Sequence, residues 1–376
     1  MQFKDVVGQE KIKAVLVKEA KNERISHAQM FLGEEGCGKL PIAMAFAQYL
    51  LCENPSKNDS CGSCTACSKV NHLTHPDVHF VYPVVKSATD KVSVADDRRE
   101  QWNRFILQNP YCSLNMWQEY TGEMSKNAQI GVQESRSILK KLSLKSYSGK
   151  FKIMIVWLPE KMNNSAANKL LKILEEPPEN TLFFLVCEEV DVILPTIISR
   201  TQIIKIPNLK TEEVKNHLIK NVGVDKEAAQ SWASLTQGNL VEALNMTNAD
   251  AMDSSYFESF VKLMRAAYAI DAIALMDISE TLAQYDRENQ KNFLKYGLHM
   301  FRESLIYNYL GASKVNVKND EKAFLDKFAR FINNQNITAL INEFDQSIYH
   351  IDRNANAKLL FSDLVIKLTK LIKKGV

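Results

Sequence analysis

Two groups of residues have the types and spacing to do chemistry. The first is Gly33-Glu34-Glu35-Gly36-Cys37-Gly38-Lys39-Leu40, which follows an apolar run, Ala28 to Leu32, and precedes a helix-like run, Ile42 to Leu51. Strand, glycine-rich loop and helix make the context of a phosphate-binding loop. Glycines let backbone N–H groups turn inward around an anion, the helix N-terminus adds partial positive charge, and Lys39 adds a full one. Gly33, Gly36, Gly38 and Lys39 are therefore the candidate phosphate-binding residues. The next position should carry a Ser or Thr hydroxyl to ligate Mg²⁺, and it is Leu40. A side chain without oxygen cannot hold the metal that nucleotide hydrolysis needs. A second departure is independent of the first. The buried-strand pattern Phe151 to Val156 leads into Trp157-Leu158-Pro159, where a phosphate-loop NTPase carries an acidic pair. The loop implies a nucleotide-binding fold and argues against hydrolysis. Backbone amides and Lys39 could still hold phosphates without metal, while Glu34 and Glu35 put like charge beside them, so ATP or ADP binding stays open.

The second group is Cys52, Cys61, Cys64 and Cys67. Two C-x-x-C steps within seven residues plus a fourth Cys upstream supply four thiolates, a complete tetrahedral set for Zn²⁺. Gly62 and Ser63 allow the tight turn between the first two. An iron–sulfur site would want the fourth Cys downstream and followed by Pro, and a redox C-x-x-C would not need four thiols. The expected metal is structural zinc, with every coordination position filled by protein. His72, His75 and His79 follow closely and read as loop residues, with His75-Pro76-Asp77 a turn into a strand.

The elements that must position these groups can be traced along the chain. Its 376 residues suit two or three domains, and a net charge of +3 is too small to imply nucleic-acid binding by the whole surface. No apolar run approaches the length that spans a bilayer, and Met1 to Glu10 lacks a signal-peptide core, which points to a cytoplasmic protein without membrane contact. A first amphipathic helix runs through Ile12, Val15, Leu16 and Glu19. Apolar strands at about 28–32, 78–82, 151–156, 181–187 and 202–206 alternate with helices, including 132–144 and Asn163 to Glu176, the latter stopped by Pro177-Pro178. This predicts an open, mostly parallel α/β sheet. Residues 86–120 read as a polar surface insertion without a role. From Leu209 onward the strands stop and the pattern is helical nearly to the end.

In chain order, Phe3…Val7-Gly8-Gln9, His27-Ala28…Gly33…Gly38-Lys39, the four cysteines, Leu170-Leu171-Lys172…Leu174-Glu175-Glu176-Pro177-Pro178, and Leu194-Pro195-Thr196…Ser199-Arg200 resemble the AAA+ subunits of the bacterial DNA polymerase III clamp loader. The resemblance covers about residues 1–245 by motif and the remaining helices by architecture alone. It implies an AAA+ α/β domain at 1–207 with a zinc module at 52–67, a helical lid at 208–248, and an all-helical, collar-type oligomerisation domain at 249–376. The losses at Leu40 and Trp157-Leu158, a polar sensor position falling near Cys187, and no Arg beside Gly238 are similar to the non-hydrolysing branch of the family. The alternative is its ATP-hydrolysing gamma/tau branch. The family's Ser-Arg-Cys motif is matched by Ser199-Arg200-Thr201, which implies that Arg200 reaches the γ-phosphate of ATP held by a neighbouring subunit. Other clamp-loader subunits of gamma/tau and delta type would be the partners, with the sliding clamp and primed DNA met through the assembly. Lys140, Lys141 and Lys145 are candidates for duplex contact or a solvated face.

Overall fold

A computed structural model describes residues 1–86, 92–123, 126–143, 146–147, 150–247, 250–312, 315, 317, 319–353 and 355–374; of side chains at 247, 250–255, 288, 319 and 352 nothing is said. The first part of the chain runs α1 (Glu10–Lys21), β1 (Ala28–Leu32), α2 (Lys39–Leu51), α3 (Thr65–Asn71), β2 (Val78–Val81), α4 (Arg99–Gln108), α5 (Leu114–Tyr120), α6 (Val132–Leu142), β3 (Lys152–Trp157), α7 (Asn164–Glu175), β4 (Thr181–Cys187), α8 (Pro195–Ile198), β5 (Gln202–Lys205) and α9 (Thr211–His217). Every expected strand is present, with its ends moved by no more than one residue. The helix expected over 132–144 stops at Leu142, and Leu144 lies outside the described residues.

The five strands form one parallel sheet in the order β2-β3-β4-β1-β5. Register pairs Ala28 with Phe183, Gln29 with Gln202, Lys152 with Thr181 and Val78 with Ile153. Each strand turns alternate residues to opposite faces. Phe31, Ile153, Ile155, Trp157, Phe184 and Val186 join a core with α2. Met30, Met154, Val156, Phe183 and Leu185 join a second core with α6 and α7. Cover on both faces explains why these strands read as continuous apolar runs rather than alternating ones.

The described part of the segment expected at the surface, 92–120, is largely packed into the core. Trp102, Phe105 and Ile106 on α4, and Trp117 on α5, are each no more than 2% exposed. Tyr82 stacks on Trp102 at 4.0 Å, and Trp102 meets both Trp117 (5.3 Å) and Trp157 (5.2 Å). The segment contributes an aromatic wedge to the core beside the end of β3. Large aromatic surfaces dominate burial energetics, so the wedge is a stabilising element.

Helices continue as α10 (Lys226–Leu235), α11 (Leu240–Thr247), α12 (Asp250–Ala269), α13 (Ala272–Ala283), α14 (Arg287–Leu310), α15 (Asn319–Phe328), α16 (Ile337–Asp352) and α17 (Ala357–Lys374). The chain divides into two compact units, Met1–His217 with Gln237–Ala243, and Leu218–Thr236 with Leu244–Val376. The expected middle segment, 208–248, is thus shared between them. The second unit is all helical among its described residues and has its own core around Phe260, Phe293, Phe301, Phe344 and Phe361. Among the described residues no helix is long and apolar enough to cross a membrane.

Candidate functional site

The phosphate loop has the expected shape, with contents that its sequence does not announce. Gly38 is the N-cap of α2, and Lys39 and Leu40 open the helix. Lys39 is only 4% exposed. Its Nζ donates to the Glu34 carbonyl at 3.0 Å and pairs with Glu188 Oε1 at 2.8 Å. Burial alone would lower the lysine pKa; the Glu188 carboxylate outweighs it and holds the ammonium above its ordinary value. The cation that would meet a phosphate is spent on an internal carboxylate. Glu188, one residue past β4, is held in turn by its backbone N–H, which donates to Glu160 Oε1 at 2.9 Å. Glu160 sits three residues past β3, is buried, and has its pKa raised by that burial.

The rest of the loop is covered. Gly36 has φ +75°, and a Cβ there would lie 2.0 Å from Asn239 Oδ1 and 2.6 Å from the Leu240 nitrogen. No residue but glycine fits beneath that segment, whose Leu240 N–H donates to the Gly36 carbonyl at 3.3 Å. Asn208 Nδ2 donates to Glu34 Oε2 at 2.7 Å, so this loop carboxylate is partnered as well. Gln9 Nε2 donates to the Cys37 and Pro207 carbonyls at 3.0 and 2.6 Å, which gives the Val7-Gly8-Gln9 stretch a local task. Tyr111, buried, accepts the Val7 N–H at 2.8 Å through its hydroxyl. Tyr111, Cys112, Trp157, Leu40 and Val241 surround a residual cavity of only ≈ 10 Å³ beside Gly36, Gly38 and Lys39. About 10–15 Å³ holds one water.

Arg200 lies in a different setting. It follows the short helix α8, and its Nη1 donates to the Thr196 carbonyl at 3.0 Å and to Ser199 Oγ at 3.3 Å. Ser199 Oγ itself donates to the Thr196 carbonyl at 3.1 Å. Arg200 Nη2 pairs with Glu175 Oε1 at 2.8 Å, and the Arg200 side chain keeps 37% of its surface exposed. The guanidinium is oriented but still open to solvent.

The four cysteines come together as expected. Their sulfurs all lie within 4.8 Å of one another, and Cys61 Sγ is 3.9 Å from Cys67 Sγ. Tetrahedral zinc with Zn–S of about 2.3 Å sets S···S near about 3.8 Å, so the set fits the ion. Backbone N–H groups of Ser63 and Cys64 pull the Cys61 pKa down to about 6, favouring the thiolate. Gly62, at φ +76°, makes the turn between Cys61 and Cys64. The module also grips the start of the chain: Asp59 accepts the Phe3 and Lys4 N–H groups at 2.9 and 3.0 Å, and Gln2 Nε2 donates to the Ser60 carbonyl at 2.6 Å. His75 is buried and takes the Asp77 N–H on Nδ1 within the expected turn, and His79 lies on β2.

Of the basic candidates on α6, Lys140 is exposed, Lys141 is paired with Asp96 at 2.8 Å, and Lys145 lies outside the described residues. Sequence reasoning missed Glu160, Glu188, Tyr111, Asn239 and Glu175. Glu160 and Glu188 had a usable signal, because each follows the carboxyl end of a parallel strand, where α/β sheets place their ligands. Tyr111 and Asn239 had none, since each acts on a loop far away in sequence.

Over its whole length the chain is similar to DNA polymerase III subunit delta' of Bacillus subtilis, at 26% identity, covering 96% of both chains. It is similar to DNA polymerase III subunit delta' of Escherichia coli at 23% identity, covering 93% of this chain and 91% of that one. DNA polymerase III subunit tau of Bacillus subtilis aligns at 26% identity with only 65% of this chain and 37% of its own length. Residues 8–210, more than half of the chain, match the family described as DNA polymerase III, delta subunit. The chain belongs to the DNA polymerase III delta subunit family.

Proposed function

We propose that this chain is the delta-prime-type subunit of a bacterial DNA polymerase III clamp loader. It is an AAA+ subunit that does not hydrolyse ATP, contributes Arg200 in trans to the ATP site of a neighbouring subunit, and helps place the sliding clamp on primed DNA. One observation carries the reading: Lys39 is buried and paired with Glu188, while Arg200 in the same unit keeps part of its side chain exposed. A guanidinium delivered to another subunit's ATP stabilises the charge that builds on the transferred phosphoryl group. Full-length similarity to two delta' subunits, against partial similarity to tau, supports the assignment over an ATP-hydrolysing gamma/tau role.

Within this reading, 208–248 is the lid, and its residues Asn239 and Leu240 lie against Gly36 of the loop. Residues 249–376 form the collar through which subunits assemble. Ile270, Ile273 and Met276 are 52%, 76% and 70% exposed, the kind of uncovered apolar surface that a neighbouring subunit would bury. Cys52, Cys61, Cys64 and Cys67 hold one structural zinc, which fixes the loop that clamps Gln2 to Lys4. Elemental analysis should find one Zn per chain, and chelation should loosen the first residues; a fully folded, metal-free protein contradicts the zinc assignment.

The test of the main reading is calorimetry and ATPase assay of the purified chain. No heat of Mg·ATP binding and no turnover are expected. Turnover that Leu40→Thr enhances and Lys39→Met abolishes would move the chain to the hydrolysing branch.

A further inference from the structure

The geometry of the stretch Leu174-Glu175-Glu176-Pro177-Pro178 gives it a task. Leu170, Ile173 and Leu174 turn inward and are no more than 5% exposed. Pro177-Pro178 stops α7, because proline lacks the N–H that would continue it. The C-terminal turn is pinned further where His27 Nε2 lies 3.1 Å from the Leu174 carbonyl. Glu175, the last residue of the helix, is therefore held on a backbone with little freedom. Arg200 stands just past α8, a helix anchored by Ile197, which is 3% exposed. Two well-anchored backbones thus present a carboxylate and a guanidinium to each other at 2.8 Å.

We propose that Glu175 is a positioning residue for Arg200: its carboxylate fixes the guanidinium plane so that the remaining donors face the terminal phosphate of a neighbour's nucleotide. The proposal rests on the trans role of Arg200 given above. The described hydrogen bonds engage Arg200 through Nη1 (Thr196 carbonyl, Ser199 Oγ), and Nη2 stands in an ion pair with Glu175. A guanidinium carries its N–H donors on three nitrogens in a rigid fork, so donors on Nε and Nη2 are not spent by these hydrogen bonds. The flexible arginine stem would otherwise sample many rotamers, and a carboxylate partner narrows that freedom before the neighbour arrives. An exposed pair of this kind contributes little to folding, so function is the better account of its geometry.

The test uses the reconstituted clamp loader with ATP-hydrolysing partner subunits, comparing wild type, Glu175→Gln, Glu175→Asp, Arg200→Ala and the Glu175→Gln/Arg200→Ala double variant. Glu175→Gln should lower the DNA-stimulated kcat about fivefold with KM for ATP unchanged, the size of effect that goes with losing one partly exposed charge partner. Glu175→Asp, which keeps the charge, should recover part of the loss. The double variant should be no slower than Arg200→Ala alone, and melting temperature and assembly should not move. An unchanged kcat in Glu175→Gln beside a reduced one in Arg200→Ala overturns the positioning role and leaves the Arg200 reading intact. A faster Glu175→Gln overturns it too, since the pair would then be holding Arg200 back. An unchanged rate in Arg200→Ala overturns both.

Discussion

Lys39 and Arg200 are the two cations that the motifs single out for a nucleotide phosphate, and their settings differ in burial and in partners. Lys39 is 4% exposed, pairs with Glu188, and sits under Tyr111, Trp157 and Val241. Arg200 keeps 37% of its side-chain surface and shares its fork between Thr196, Ser199 and Glu175. A buried ammonium with a carboxylate partner is a structural ion pair, and removing either member leaves the other uncompensated. A partly exposed guanidinium with unspent donors is still available for recognition. The lesson is that a retained motif residue can be retained for folding. Lys39 keeps its place in the motif and has Glu188 as its counter-ion within the fold.

The comparison can be broken at several points. The largest effect is expected for Trp102→Ala, which empties the centre of the aromatic wedge behind Trp157. A buried tryptophan truncated in this way costs about 3–5 kcal/mol, measured as urea unfolding. A loss near zero would separate residues 99–120 from the filled site. Lys39→Met comes next: it leaves the Glu188 carboxylate facing the loop without its counter-ion, at a cost of about 2 kcal/mol after allowing for the exposure of Glu188. Adding Glu188→Gln should restore most of that stability. If the single variant is as stable as wild type, the Lys39–Glu188 pair is not what holds the loop.

Glu160→Gln gives a smaller, pH-dependent effect. Burial raises the folded pKa of Glu160, so the native state binds more protons than the unfolded chain between the ordinary carboxyl range and the raised value. Stability therefore falls as pH rises through that window, by about 1.4 kcal/mol for each unit of displacement. The glutamine variant should flatten this part of the curve, and an unchanged slope would remove Glu160 from the network. The smallest stability effect is expected on the other side of the comparison. Glu175→Gln should shift the urea midpoint by less than about 1 kcal/mol, as exposed pairs do.

Most of the fold could be read from local signals. The five strands showed as short apolar runs because both faces of the sheet are covered, and the cysteine set showed because its ligands lie within sixteen residues. Loss of the hydroxyl at Leu40 was visible in one position. What filled the site was not visible. Lys39 and Glu188 are 149 residues apart, Gln9 and Pro207 are 198 apart, and Val7 and Tyr111 are 104 apart. No pattern along the chain links such partners; only the parallel topology brings them together. Residues 86–120 misled for another reason. Trp102, Phe105 and Ile106 do have helical spacing, but α4 is only 10 residues long and the exposed Arg99, Glu100, Gln101 and Gln108 around them make the window read as polar.

The central claim is that this chain serves its neighbour's nucleotide through Arg200 and makes no use of its own loop. The most direct measurement is the DNA-stimulated ATPase rate of the reconstituted complex carrying either Arg200→Ala or Lys39→Met/Glu188→Gln. The account expects a drop for Arg200→Ala, an arginine finger being worth ~10³–10⁵ at the site it serves, and a wild-type rate for the loop double variant. A normal rate with Arg200→Ala, or a collapse of the rate with the loop variant in an intact complex, would contradict it.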